Sequence, residues 1–346
     1  MNISKQLINW YTDNKRDLPW RNTTNPYFIW LSEIILQQTQ VVQGRPYYDS
    51  FTATFPTVFD LANAEEQEVL KLWQGLGYYS RARNLHASAK YIVKELDGKF
   101  PDTFDQIIKL KGVGDYTASA IASICFNQVT AVVDGNVYRA LSRIYGIDTP
   151  INTSKGFKEF KTLGQQLIDP KQPATFNQAI MEFGARLCKP KNPDCNSCPF
   201  NTICVALQKN IISDLPVKLK TLKVKKKYFN FIVALSEDNK TILEQRTGSG
   251  IWQNLYQFPL IETDKSVSHN IIESQVKNLD AFKSYNIALS LYNDKAIIHK
   301  LSHQHLYTKF WIVNLNDDLE SGILFDEITN YPVPILIGNF IEKFNF

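Results

Sequence analysis

The sequence predicts two domains of different class, an all-helical domain followed by a smaller α/β domain. Three observations lead there. Apolar residues recur at helical spacing from Ile3 to about Leu207. Beyond a lysine-rich stretch the pattern changes to short β-rich runs. The chain has 346 residues, 44% of them hydrophobic and 12% aromatic, which is enough for more than one buried core.

In the first part, Leu31, Ile34 and Ile35, then Val41 and Val42, and later Ile121, Ile124 and Cys125 mark helical faces. In the second, strands are expected at Tyr228–Leu235, Thr241–Arg246, Ile297–Leu301 and Leu306–Leu315, with one helix near Ile271–Leu279. Asp238-Asn239-Lys240, between the first two runs, has the look of a hairpin turn. The expected division is a first domain over residues 1–212, a lysine-rich linker over 213–226 and a second domain over 227–346. No internal repeat or low-complexity tract is present.

Met1 to Leu18 alternates apolar and charged residues, which suits neither a signal peptide nor a membrane span. A reducing, cytoplasmic compartment is therefore expected, and a monomer. The net charge of +4 is too small to require a polyanionic partner. Between Leu215 and Lys227, however, Lys218, Lys220, Lys223, Lys225, Lys226 and Lys227 occur with no acid among them. Such a run is commonly a solvated linker, and it would also suit a strap across phosphates.

Cys188, Cys195, Cys198 and Cys204 follow one another as C-x6-C-x2-C-x5-C, while Cys125 sits apart in an apolar stretch. Four thiolates this close suit a tetrahedral zinc or a 4Fe-4S cluster. Zinc sites usually use two separate pairs with short gaps, whereas here one long gap precedes three unevenly spaced ligands, so the spacing favours the cluster. A disulfide framework fits poorly, because such scaffolds are short and cysteine-dense. Either metal centre would have four protein ligands and no open position, which implies a structural role, fixing a loop with Lys189 and Lys191 against phosphates.

Leu110 to Ala118 reads LKGVGDYTA between two helical segments, so Gly112 and Gly114 form a tight turn with bare amides at a helix start, a place that binds phosphate. Downstream, in Val132-Val133-Asp134-Gly135-Asn136-Val137, a carboxylate stands just before another helix, where an ordinary N-cap would also stand. From Ile3 to Leu207 these features resemble the helix-hairpin-helix DNA glycosylases, which combine a hairpin, a downstream essential aspartate and, in one branch, the same four-cysteine spacing. The resemblance implies a 4Fe-4S cluster and Asp134 as a catalytic residue.

Two enzyme types of that branch differ in ways the sequence records. The bifunctional endonuclease III type carries a lysine two residues after the second hairpin glycine, where its amine attacks the sugar. This chain has Tyr116 there, and Tyr138 is not an amine either. The segment Trp30 to Gln40, WLSEIILQQTQ, instead resembles the stretch of MutY-type adenine glycosylases that holds a catalytic glutamate. On a helix Glu33 and Gln37 would share a face, with residues 31, 34 and 35 on another. A carboxyl in that apolar neighbourhood has a raised pKa and can hold a proton near neutral pH.

By this resemblance, Glu33 protonates adenine at N7 and Asp134 stabilises the sugar cation, with Tyr116 positioning the pair. The base must be flipped out of the duplex. Gln38 and Tyr78, the latter in GLGYYSRAR, match family positions that wedge into the helix. Arg21 and Gln178 match adenine-pocket positions.

Gly250 to Pro259, GIWQNLYQFP, resembles the matching segment of the Nudix-like C-terminal domain of MutY proteins, which reads 8-oxoguanine opposite the adenine. The stretch His269 to Leu279 holds one glutamate, Glu273, so the clustered glutamates of a pyrophosphohydrolase are missing. The family's Phe-Ser-His loop stands here as Leu301-Ser302-His303, with Ser302 and His303 as candidate contacts to the damaged purine. The expected activity is thus excision of adenine mispaired with 8-oxoguanine or guanine in double-stranded DNA. The rivals are an endonuclease III-like pyrimidine glycosylase and lyase, and a non-catalytic lesion-binding or redox-sensing DNA protein.

Overall fold

The computed structural model describes residues 2–219 and 224–346. Lys220 and Lys223 of the lysine run lie outside the described residues. Helices follow one another as α1 (Ile3–Asn14), α2 (Pro26–Ile35), α3 (Val41–Thr54), α4 (Val58–Asn63), α5 (Glu66–Leu72), α6 (Ser80–Leu96), α7 (Phe104–Ile107), α8 (Asp115–Phe126), α9 (Gly135–Tyr145), α10 (Ser154–Leu167), α11 (Pro173–Arg186) and α12 (Val205–Gln208). By packing, residues 1–63 and 84–220 form one compact unit, and residues 64–83 with 221–346 form another.

Local chemistry sets the ends of the helices in the first unit. Asn2 caps α1, Asn25 caps α2 with Pro26 at its first position, and Thr153 caps α10. Asp134 caps α9, whose C-terminus closes on Gly146 in the left-handed region. The core gathers Leu7, Ala120, Val137, Leu141, Phe176, Ile180 and Phe183 from α1, α8, α9 and α11. Phe200, from the cysteine loop, is fully buried and meets Phe183 edge-on at 5.3 Å. The helix expected around Val41 and Val42 forms, but its buried side is Gly44, Tyr48 and Phe51, and Val42 is 86% exposed. Val41, half-buried, shares the face of Gly44, Tyr48 and Phe51 at three- and four-residue spacing, and Val42 falls off it.

The second unit is a mixed sheet between two helices. Its strands are β1 (Lys225–Leu235), β2 (Lys240–Thr241), β3 (Glu244–Gln245), β4 (Tyr256–Gln257), β5 (Leu260–Thr263), β6 (Ile287–Leu291), β7 (Ile297–Lys300), β8 (Gln304–Leu315) and β9 (Ile323–Leu324). In the main sheet β1 lies between β5 and β8, pairing parallel with β8, while β6 and β7 share the far edge of β8. Helix α13 (His269–Val276) covers Ile232, Ala234, Trp311 and Val313 on one face. Helix α14 (Ile335–Phe344) stacks Phe340 on Phe310 of the other, at 4.0 Å.

The expected strand Thr241–Arg246 is broken into β2 and β3. The chain does turn at Glu237–Asn239, with the Ser236 N–H donating to the Lys240 carbonyl, but β2 then pairs with β9 rather than with β1. The turn therefore ends a strand without making a hairpin ladder. No helix among the described residues is long and apolar enough to cross a membrane.

Candidate active site

The first unit brings Glu33, Tyr116 and Asp134 together from three helices. Glu33 lies near the end of α2 at 9% exposure, in a helix whose Ile34 and Ile35 are buried as well. Burial pushes its carboxyl up to about 7; the hydrogen bond with Tyr116 works against the rise and the Asp134 charge adds to it. Tyr116, in the first turn of α8, also places its hydroxyl 3.2 Å from Met181 Sδ on α11. Its own proton is held well above the usual phenol range, by burial first and then by the two carboxylates.

Asp134 serves as the N-cap of α9. Its Oδ1 accepts the N–H groups of Asn136 and Val137 at 2.9 and 2.8 Å, and its Oδ2 accepts the Asn136 side-chain amide at 2.7 Å. Burial raises its pKa, while these three bonds and Arg139 pull it back. The cap explanation and the catalytic one are compatible here, since capping orients the carboxylate and leaves Oδ2 with a spare lone pair.

Gln37 departs from the expected shared face, because α2 ends at Ile35; its amide donates to Thr117 Oγ1 at 3.3 Å. Gln38, next along, has φ +55°, and Tyr78 in the second unit has φ +47° with half its surface exposed. Left-handed backbone at a non-glycine residue is strained and clusters at functional sites. The hairpin forms as expected. Gly112 has φ +82°, and a side chain there would collide with Asn84 of α6 at 2.7 Å. Gly114 is the N-cap of α8 and brings no side-chain bond, leaving the helix amides open. Lys161 ties this turn to the segment before Asp134, donating to Asp115 at 2.6 Å and to the Ala131 carbonyl at 2.7 Å.

Arg21 and Gln178 line one open cavity of about 480 Å³ together with Tyr11 and Arg16. Arg16 and Arg21 both donate to Glu182, at 2.6 and 2.7 Å. Sequence reasoning missed Arg16 and Glu182, although the i,i+4 placement of Gln178 and Glu182 on a helix was a usable signal.

All four thiols, Cys188, Cys195, Cys198 and Cys204, line a single cavity beside Arg143. Among the described residues no three Cys, His, Asp or Glu side chains form a ready set for a single metal ion. Arg143 is 3% exposed; its Nη1 lies 3.5 Å from Cys188 Sγ and 2.8 Å from the Lys189 carbonyl it donates to. The Phe200 N–H donates to Cys198 Sγ at 3.4 Å. N–H donors aimed at sulfur, a buried aromatic anchor and a shared cavity are a donor set that fits a thiolate-held group.

In the second unit, Leu301 N–H donates to the Gln304 carbonyl, which puts Ser302 and His303 at the tip between β7 and β8. Their side chains stand 3.5 Å apart, both exposed. They line a cavity of about 480 Å³ with Tyr78, Arg83, Trp252 and Leu301. The segment carrying Tyr78 is held there by Arg83, which donates to the Gln253 carbonyl at 2.8 Å. Two features read separately from the sequence thus share one pocket of nucleobase-compatible size.

Comparison with known proteins gives the family. Residues 31–166 match the family described as HhH-GPD superfamily base excision DNA repair protein, and residues 230–343 match the NUDIX domain. Over 60% of the chain the fold matches a thermostable thymine-DNA glycosylase at 28% identity and TM-score 0.56, covering 95% of that chain. It also matches a trapped endonuclease III–DNA covalent intermediate at 21% identity and TM-score 0.53, again over 60% of this chain and 95% of that one. Fold and site define a base-excision DNA repair glycosylase with an appended NUDIX domain.

The adenine DNA glycosylase of Buchnera aphidicola subsp. Schizaphis graminum is 35% identical over 335 residues, 94% of this chain and 92% of that protein. The human adenine DNA glycosylase is 46% identical over 212 residues, 59% of this chain and 39% of that protein. The chain belongs to the adenine DNA glycosylase family, hydrolases acting on N-glycosyl bonds.

Proposed function

We propose that this chain removes adenine mispaired with 8-oxoguanine or guanine from double-stranded DNA, as a monofunctional glycosylase. One observation supports this above the others: a buried glutamic acid titrating at about 7 is hydrogen-bonded to Tyr116 and stands in the field of Asp134. Adenine leaves poorly as an anion, so Glu33 donates its proton to N7 as the bond to the anomeric carbon breaks. Asp134, ionised and held by the start of α9, stabilises the oxocarbenium ion and captures its anomeric carbon as an ester. Water then displaces the carboxylate, losing a proton to the Glu33 carboxylate, and both acids return to their starting states. No amine stands at Tyr116, so no Schiff base forms and the strand stays intact.

Gln38 and Tyr78 are each candidates to wedge into the duplex, and the amides after Gly114 hold a phosphate. Arg21 and Gln178 bind the flipped base, while Ser302 and His303 read the opposite purine. Cys188, Cys195, Cys198 and Cys204 would hold a 4Fe-4S cluster, which, when bound, supplies four metal–sulfur links that fix the loop of Lys189 and Lys191. Every role is filled from one chain, in keeping with a cytoplasmic monomer.

The test uses labelled duplexes with adenine opposite 8-oxoguanine, guanine or thymine, analysed before and after alkali. Cleavage after alkali alone, with the first two duplexes, is the expected result. Strand breaks without alkali would overturn the monofunctional assignment, and equal excision opposite thymine would overturn the mismatch specificity.

A further inference from the structure

Glu182 plays no part in the chemistry above, yet its side chain is 1% exposed and ionised. Oε1 accepts from the backbone N–H and Nε of Arg16 at 3.1 and 2.8 Å, and Oε2 accepts from Nη2 of Arg16 and Nη2 of Arg21 at 2.6 and 2.7 Å. A carboxylate offers about four lone-pair sites, so none is left for a substrate. Burial opposes its charge, but the two guanidinium groups prevail and hold its pKa at about 2. Arg21 is fixed further by its Nη1, which donates to the Arg16 carbonyl at 3.0 Å, and by the Tyr11 ring 5.4 Å beneath it. The Tyr11 hydroxyl in turn donates to Gln178 Oε1 at 2.5 Å.

We propose that Glu182 is a positioning residue for base selection, setting the Arg21 guanidinium and, through Tyr11, the Gln178 amide before the base arrives. The inference rests on the proposed placement of the flipped adenine against Arg21 and Gln178. An adenine edge offers an amino donor beside ring-nitrogen acceptors. Gln178 keeps two N–H donors and one oxygen lone pair for that edge, and Arg21 adds donors in a fixed plane. The fixed plane of donors is lost if the guanidinium is free to turn, and with it the cation packed on the Tyr11 ring that orients Gln178. Pre-orientation matters most for discrimination, because a site built to hydrogen-bond a substrate group rejects analogues that lack it.

Single-turnover excision is measured for adenine and for unsubstituted purine, which lacks the amino group, each opposite guanine. The enzymes compared are the wild type, Glu182→Gln, Glu182→Asp, Arg21→Ala and Gln178→Ala. Glu182→Gln is expected to lower the adenine-to-purine rate ratio about tenfold, with duplex affinity unchanged. Glu182→Asp, still charged but too short to fill all four bonds, is expected to lower it less. Equal slowing of both substrates, or an unchanged ratio, in a folded Glu182 variant overturns the proposal; where Glu182→Gln does not fold, Glu182→Asp decides. If Arg21→Ala and Gln178→Ala themselves leave the ratio untouched, the base-pocket assignment has failed instead, whatever Glu182 does.

Discussion

Asn136 holds both carboxylate oxygens of Asp134, its backbone N–H on Oδ1 and its side-chain amide on Oδ2. The asparagine is itself held, because Arg139 Nη2 donates to its Oδ1 at 2.8 Å while Arg139 Nε donates to the Cys188 carbonyl at 2.7 Å. The orientation of the candidate catalytic carboxylate is therefore continuous with the cysteine loop. Asn136→Ala keeps the two backbone caps and removes the grip on Oδ2. Losing one charge-assisted hydrogen bond of about 1.5–3 kcal/mol should slow excision on the order of 10- to 100-fold. Duplex affinity should not change. An unaltered single-turnover rate would sink the idea that this contact matters.

The titration of Glu33 sets the sign of the pH dependence. The acid works protonated, and burial has raised its pKa to about 7. The single-turnover rate should be flat in mild acid and fall about tenfold per pH unit above that pKa. Glu33→Gln should lose roughly 10²- to 10⁴-fold at neutral pH and lose the alkaline limb with it. Tyr116→Phe removes a hydrogen bond that lowers the Glu33 pKa, so its limb should move to higher pH. A limb that stays in place would show that the phenol does not act on the acid.

Much of this was legible because the chemistry sits in short motifs. The hairpin, the aspartate before α9 and the apolar stretch around Glu33 each have a local physical signature. What stayed hidden depends on tertiary neighbours. Arg16 and Glu182 are 166 residues apart, and Arg143 meets its carbonyl partners only after the cysteine loop folds back. The hairpin expected at Asp238-Asn239-Lys240 failed for the same reason, since a residue pattern fixes period but not partner.

The four thiols make a metal-loss experiment informative. Purified chain is expected to contain about four iron atoms and four sulfides and to absorb visible light. Removing the metal by oxidation and chelation should free the loop that Phe200 and Arg143 anchor, lowering the melting temperature and weakening duplex binding about tenfold. Single-turnover excision at saturating enzyme should slow as well, because the freed loop releases the Cys188 carbonyl that holds Arg139 and, through Asn136, the Asp134 carboxylate. A colourless, zinc-loaded preparation would sink the cluster assignment.

The cavity shared by Tyr78, Trp252, Leu301, Ser302 and His303 contains both side chains proposed to read the opposite base. Ser302 can donate or accept, and it stands exposed at the tip between β7 and β8, the position from which the proposed function has it read the opposite purine. Guanine and 8-oxoguanine differ at N7 and C8, where one acceptor becomes a donor beside a new carbonyl, so a hydroxyl that does both suits the oxidised base. Ser302→Ala should cut the preference for 8-oxoguanine over guanine about 5- to 10-fold, the worth of one hydrogen bond of ~1–1.5 kcal/mol. Leu301 gives an aliphatic wall where an aromatic ring would stack, and Leu301→Phe should raise affinity for both duplexes by a few-fold through added stacking. Binding curves with a non-cleavable adenine analogue opposite each base would measure both effects. Equal loss on the two duplexes in Ser302→Ala would mean that the serine merely shapes the turn.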